Sequence, residues 1–408
     1  MFNFLRRRRK NWLLESTEED EVHVEAESSN YKSKKRGGST PGRVFIDRNR
    51  KEGHEKLVRD YFSANPTYNE KIFRRRYRMS RDLFNRIHEG VVSYDNYFIQ
   101  SRDTVNKVGL SSLQKVTAAL RMMAYGVSAD MIDENLQIAE STANEAMKKF
   151  VEAVIVVFGE RYLRQPNSTD IARLLQLHED RGFPGMLGSL DCMHWSWKNC
   201  PSAWKGHYSG HHKEATLILE TVASRDLWIW HSFFGLPRSL NDIKVLERSP
   251  LFTDIINGRA PPVNFVINNH HYDMGYYLGD AKNFAKAQEG ARKDVERAFG
   301  VLQARFLIIR QGCRYFKIAT LKNIMKACVI LHNMVVEHER DMFKSIENGK
   351  YYLLEKVDIS ELDRNDAAYH YDFDQFIKGH QKLKNKSIHR RLQEDLVEHL
   401  WELRGNVE

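Results

Sequence analysis

Four carboxylates sit where apolar stretches end, or where a long helix turns its apolar side inward. Asp191 follows Met186, Leu187 and Leu190 in "GMLGSLDCMHW", just after Pro184-Gly185. Asp242 lies in "LPRSLNDIKVL", Asp280 closes "MGYYLGD", and Glu296 stands beside Val295, Phe299 and Leu302 in "NFAKAQEGARKDVERAFGVLQARF". A carboxylate entering a core is costly to desolvate unless a cation meets it. Several brought together from different elements raise one another's pKa unless a cation neutralises them. Hard oxygen ligands suit Mg²⁺ or Mn²⁺, and two such ions can activate water and stabilise the leaving oxygen in phosphodiester cleavage. Each acid also has a local alternative. Asp191 would cap the turn into "CMHW", Asp242 would cap "IKVLERS", and Asp280 would simply end a strand. Glu296 would pair with Arg292 or Arg297 on its own helix.

The elements that must position these acids follow from periodicity. From Pro184 the apolar β-rich stretches "MLGSLDCMHW", "ATLILETVAS", "LWIWHSFFG", "NFVIN" and "MGYYLGD" read as strands. A long helix follows them. The pattern predicts an α/β protein with a mixed sheet covered by helices. Before Pro184 the pattern is helical. Ser80 is a candidate N-cap for a helix burying Leu83, Phe84 and Ile87, and Arg74, Arg75, Arg76, Arg78 and Arg81 give that region a dense positive charge. Ser112 would cap a helix with Leu113, Val116, Leu120 and Met123 inward, ending at Gly126. Ser128 would cap a short one from Ala129 to Leu136. Ser141 would cap a third, with Ala143, Ala146, Met147, Phe150 and Val154 on one side. This is the layout of a helix-turn-helix, in which Asn144, Lys148 and Lys149 would face DNA. An ordinary three-helix packing unit gives the same pattern.

The chain has 408 residues, enough for a large core. Lys and Arg number 63 against 54 Asp and Glu, a net charge of +9 that favours an anionic partner such as nucleic acid. None of Cys192, Cys200, Cys313 and Cys328 forms a C-x-x-C pair, which argues against a zinc ribbon or disulfide framework and for a reducing, intracellular setting. No apolar run is long enough for a membrane span, and "MFNFLRRRRK" lacks the apolar core of a secretory signal. Composition predicts a disordered tail over 1–55, with a basic run from Arg6 to Lys10, an acidic run from Glu18 to Glu21 and the basic "KSKKRGGSTPGR". The basic clusters would serve as nuclear localisation signals or nucleic-acid contacts, or simply form a solvated tail. A helical region, the candidate DNA-binding one, follows at 56–165, then the strand-rich region that carries the four acids at 180–340 and a C-terminal helical extension at 341–408. In that extension Ile388, Leu392, Leu396 and Leu400 recur every four residues, an amphipathic helix able to pack on the protein or on a partner.

Lys205, His207, Tyr208 and Lys213 follow the first acidic stretch and are candidate phosphate contacts, a pattern that a polar hairpin or loop would give equally. The adjacent pairs His211-His212 and His270-His271 would point to opposite sides of a strand and read as solvated loop residues. His332-Asn333, on an apolar helix, reads as a buried hydrogen-bonded pair.

The long stretch from "GSLDCMHWSWKNCPSAWKGHYSGHHKEATLILETVASRDLWIWHSFFG" to "LPRSLNDIKVLERSPLF", then "YDMGYYLGD", "AKAQEGARKDVERAFGVLQARF" and "ACVILHNMVVE", resembles the PIF/Harbinger transposase-derived nucleases, the plant transposon protein group. The resemblance covers roughly residues 70–340. It implies an RNase H-like DDE catalytic fold preceded by a helix-turn-helix-like domain. It also implies a divalent metal, Mg²⁺ or Mn²⁺, on Asp191, Asp242, Asp280 and Glu296, and cleavage of DNA in the nucleus. The partners it implies are DNA, a Myb-like DNA-binding protein and further copies of the chain. Two departures stand out. Pro237-Arg238-Ser239 replaces the family's Pro-Gly-Ser, and Asp280 runs at once into "AKNFAKAQEG", as though a segment were missing before Glu296. Two functions are therefore expected: a metal-dependent DNA endonuclease, or a catalytically impaired, domesticated descendant that binds DNA or chromatin.

Overall fold

The computed structural model describes residues 46–104, 106–209, 214–240, 244–245, 248–251, 262–279, 286–346 and 386–405. The charged runs of the N-terminal tail lie outside these residues. Among the described residues seven α-helices precede the sheet: α1 (Arg50–Leu57), α2 (Glu70–Tyr77), α3 (Arg81–Tyr94), α4 (Ser112–Tyr125), α5 (Asp130–Leu136), α6 (Glu140–Tyr162) and α7 (Ser168–Glu179). α1 begins inside the stretch whose composition predicts disorder. It is held where Gln114 Nε2 donates to the Arg50 carbonyl at 3.1 Å.

The helix starts show which capping signals prevail. Ser80 caps α3 as expected, accepting from the Leu83 amide at 3.2 Å. The cap of α4 is Ser111 rather than Ser112, because Ser111 has Gln114 three residues on and the two form a reciprocal capping box. Gly126 ends α4 in the left-handed region, φ 66°, which suits a residue with no Cβ. Neither α5 nor α6 has a side-chain cap. Ala129 and Ala139 occupy those positions, and Ser141 lies inside α6.

The sheet is mixed, in the order β3-β2-β1-β6. β1 (Met186–Ser196) pairs antiparallel with β2 (Thr216–Ala223) and parallel with β6 (Tyr276–Leu278). β2 pairs antiparallel with β3 (Ile229–Pro237). Between β1 and β2 runs a short helix, α8 (Ser202–Ser209). β4 (Pro262–Ile267) and β5 (His270–Met274) form a separate hairpin. Asn268 and Asn269 both adopt positive φ at its turn, the conformation a two-residue hairpin requires. His270 and His271 are therefore strand residues rather than loop residues. Among the described residues there follow the helices α9 (Lys286–Arg305), α10 (Leu307–Gln311) and α11 (Ile318–Ile346), and the C-terminal α12 (Lys386–Gly405). No helix among the described residues is long and apolar enough to cross a membrane.

One hydrophobic core joins the early helices to the sheet. It runs from Leu57 and Phe84 through Phe150 and Val154 of α6 to Trp195 of β1 and Leu331 of α11. His332 and Asn333 sit within it, both fully buried. His332 Nε2–H donates to the Leu227 carbonyl at 2.8 Å, and Nδ1 accepts from Arg305 at 3.1 Å. Burial, reinforced by Arg305, pushes the imidazole down to about 3, so it stays neutral. Asn333 accepts from the Ile229 amide at 2.9 Å and donates to the carbonyls of Ile229 and Tyr162, both at 2.8 Å. One amide thus ties the start of β3 to the end of α6. α12 packs back through Leu392, Leu396 and Leu400 against Phe265, Ile267 and Tyr272 of the hairpin. Its Asp395 accepts from Tyr272 Oη at 2.5 Å and lies 2.9 Å from His270 Nδ1.

Glu220 is the unexpected member of the sheet. All eight residues of β2 are buried, and Glu220 is fully so. Neither of its oxygens has a hydrogen bond among the described residues, and His231 Nε2, at 3.6 Å from Oε1, is too distant for one. Burial pushes its carboxyl up to about 7.

Two stability predictions follow from these buried groups. Asn333→Ala leaves one amide and two carbonyls unpaired in the core, so the urea midpoint should fall by an amount equivalent to about 3 kcal/mol. An unchanged midpoint would show that the amide does not stitch β3 to α6. The folded state holds the Glu220 proton more tightly than the unfolded chain, whose ordinary value is 4.5. Stability should therefore fall as pH rises from 4.5 to about 7, by about 3 kcal/mol, and stay lower above that. Glu220→Gln should remove this slope, gaining on the wild type at pH 8 but not at pH 4. Parallel pH profiles for the two proteins would contradict the assignment.

Candidate active site

β1 sorts its side chains by alternation. On one side Ser189 Oγ donates to the Ala291 carbonyl at 2.7 Å, and Met193 Sδ accepts from Gln303 Nε2 at 3.5 Å. Both partners are on α9. Trp195 Nε1 donates to the Ile308 carbonyl of α10 at 3.1 Å. Asp191 lies between Ser189 and Met193 and shares their side, so it is level with the stretch of α9 between Ala291 and Gln303. Glu296 is in that stretch. Cys192 and Glu220 are register partners and belong to the opposite side of the sheet, so Glu220 is not part of this site.

Asp191 is partly exposed, and its Oδ1 accepts from the Cys192 amide at 2.8 Å. Its register partner is Thr221, whose buried hydroxyl has no hydrogen bond among the described residues. In α9, Val295, Phe299 and Leu302 are buried as their spacing predicts. Glu296 is 41% exposed and meets Arg292 at 2.9 Å, the local pairing that its spacing also allows. The buried acid of this helix is Asp294, which the apolar periodicity does not single out. It is held by Arg181 at 2.5 Å and Arg297 at 3.3 Å, and pins α9 to the chain entering β1.

Asp242, Asp280 and Lys213 lie outside the described residues. The neighbouring backbone is placed. β6 runs parallel to β1 with Leu278 opposite Ser189, and Gly279 lies close to the Leu190 carbonyl. Pro237, at the end of β3, accepts from the Leu240 amide at 3.1 Å. Among the described residues no group of three or more His, Cys, Asp or Glu side chains could hold a metal.

The candidate DNA contacts divide. Asn144 Oδ1 accepts from Tyr315 Oη at 3.1 Å, and Lys149 pairs with Asp95 at 3.5 Å. Lys148 is exposed, but the stripe it shares on α6 also carries Glu145 and Glu152. Lys205 and His207 are both exposed on α8.

Residues 160–282 and 280–343 match the family model described as plant transposon protein. The two matched pieces meet at 280–282, where Asp280 runs directly into "AKNFAKAQEG". Residues 53–92 match a second model, described as a domain of unknown function. The human protein "Putative nuclease HARBI1" is 24% identical over 301 residues, 65% of this chain and 80% of that one. Its rat counterpart is 22% identical over 267 residues, 61% and 74% respectively. "Protein ALP1-like" of Arabidopsis thaliana is 25% identical over 257 residues, 56% of this chain and 62% of that one. No solved structure matches. Through residues 160–343, and the relatives that share them, this chain is similar to the plant transposon proteins, the PIF/Harbinger transposase-derived group.

Proposed function

We propose that this chain is a transposase-derived DNA endonuclease that cuts phosphodiester bonds with Mg²⁺ or Mn²⁺ held by Asp191, Asp242, Asp280 and Glu296. The observation that carries the reading is the register of β1 on α9. Ser189 and Met193 contact α9 on either side of Asp191, and this points Asp191 toward the helix that carries Glu296. The order β3-β2-β1-β6, with helices against one side of β1, supports an RNase H-like reading of the fold. The donors fit the ion: both are carboxylates, partly exposed, and the hydroxyl of Thr221 lies across from Asp191 without a partner among the described residues.

A divalent ion at this site would activate water and stabilise the departing oxygen. The protein's own residues prepare for it. The Cys192 amide orients the Asp191 carboxylate. Arg292 gives Glu296 an exchangeable cation at a half-exposed position. Asp294, fixed by two arginines, sets where α9 lies along β1. DNA would meet the protein through Lys205 and His207 of α8 and Lys148 of α6, with Asn144, Lys149 and Lys213 as further contacts and the helical region acting as a helix-turn-helix. A Myb-like DNA-binding protein, further copies of the chain and a nuclear location complete the proposal.

A second reading, a nuclear DNA- or chromatin-binding protein that no longer cuts, is favoured by the break in the family match at 280–282 and by Arg238 in place of glycine. Nicking of labelled duplex DNA by the purified full chain in Mg²⁺ or Mn²⁺ separates the two. The endonuclease reading expects nicking that falls more than about 100-fold in Asp191→Asn and in Glu296→Gln, with unchanged circular dichroism. Equal nicking by the variants removes these acids from the chemistry. DNA binding without nicking selects the second reading.

A further inference from the structure

A cationic corner stands at the C-terminal end of β1. Gly312, at φ 85°, brings the α10–α11 connection against Ser196, where a Cβ would meet the Ser196 backbone at 2.9 Å. The contact is then locked. The Cys313 amide donates to the Ser196 carbonyl and the Lys198 amide to the Cys313 carbonyl, both at 2.9 Å. Trp197 Nε1 donates to the Tyr315 carbonyl at 2.9 Å. The Trp197 ring in turn packs on Trp204 and Tyr208 of α8, with centroids 6.1 and 5.1 Å away.

This packing displays Lys198 and Lys205 beside Arg314 and Lys317. All four are exposed, and none has an ion pair among the described residues. Among the described residues Glu214 borders the corner, next to Ala215, whose carbonyl accepts from the Trp197 amide. Helix α11 starts at Ile318, so the positive end of its dipole adds to the same field. Among these cations Phe316 is 66% exposed and Trp204 37% exposed.

We propose that this corner is a binding surface for single-stranded DNA, with phosphates on Lys198, Lys205, Arg314 and Lys317 and an unpaired base stacked on Phe316. The proposal rests on the DNA-cutting reading above. Cations alone would serve a duplex equally well, because phosphate contacts carry no preference for unpaired bases. The exposed ring decides the case: a flat aromatic among lysines and arginines is the platform on which unstacked bases lie, and a paired base offers it no surface. The spacing also fits. Asp191 and Trp197 are six residues apart on one extended stretch, about 20 Å, or about six nucleotide steps. A strand opened at Asp191 would reach Phe316.

The test is fluorescence anisotropy of the full chain with labelled oligothymidine and with blunt duplex, in chelator so that no cutting occurs. Phe316→Ala should weaken oligothymidine binding about five- to hundredfold and leave duplex binding unchanged. The double variant Arg314→Ala/Lys317→Ala should reduce the salt dependence of oligothymidine binding by about 1.4 in log–log slope. Phe316 is exposed, so its truncation removes nothing from the core. If both variants bind oligothymidine like the wild type, or the wild type binds only duplex, this inference fails while the nuclease reading stands. If the wild type ignores both DNAs but retains polyglutamate, the corner serves an acidic protein and the inference is overturned.

Discussion

The strict alternation of β1 is the constraint on which the rest of the molecule depends. Successive residues of a strand must point to opposite sides. In β1 this rule sends Ser189, Asp191, Met193 and Trp195 toward α9 and α10, and Leu190 and Cys192 away from them. A shift of one residue would put Asp191 on the side of Glu220 and bury Cys192 against α9. The register is fixed at both ends, by the Ser189 hydroxyl on α9 and the Trp195 indole on α10. Each is a buried polar atom whose partner among the described residues is a helix carbonyl, so losing the register would strand both. β1 thus carries the candidate carboxylate in its middle and the cationic corner at its end, in a fixed spatial relation.

The surrounding helices hold that strand in place with a core that does not stop at the start of the sheet. α6, in the middle of the early helical region, lies against α11, and Asn333 of α11 reaches both the end of α6 and the start of β3. This has a cost for DNA reading by α6. Much of the helix is buried, Asn144 is engaged by Tyr315 and Lys149 by Asp95. Tyr315 belongs to the same connection that presents Arg314 and Phe316. The contact between α6 and that connection therefore links the early helices to the cationic corner.

Much of this was legible in the sequence, and what was missed has physical reasons. The strands with long apolar runs, around Leu190, Leu219 and Trp230, are visible from composition and length. β5 is not, because only Tyr272 of "HHYDM" turns inward and it is anchored by Asp395, far along the chain. The caps of α5 and α6 were misplaced because serine is a strong capping residue on average, whereas here alanines occupy the caps. Asp294 and Glu296 are indistinguishable by type. Arg181, which is brought close only by folding, decides that Asp294 is the buried one. Glu220 left a fainter signal: a single charge inside "TLILETVA", a stretch that would otherwise read as a strand covered on both sides. The resemblance to the family supplied the set of four acids. The described residues give the setting of Asp191 and Glu296, while Asp242 and Asp280 lie beyond them.

The central claim, that Asp191 and Glu296 serve one ion, is most directly tested by Mn²⁺ binding to the full chain followed by electron paramagnetic resonance, with Asp191→Asn, Glu296→Gln and the double variant. The account predicts that each single change weakens Mn²⁺ binding and that the second costs little once the first is made, because both act on one site. Losses that simply add, or affinities equal to the wild type in all three variants, would contradict it.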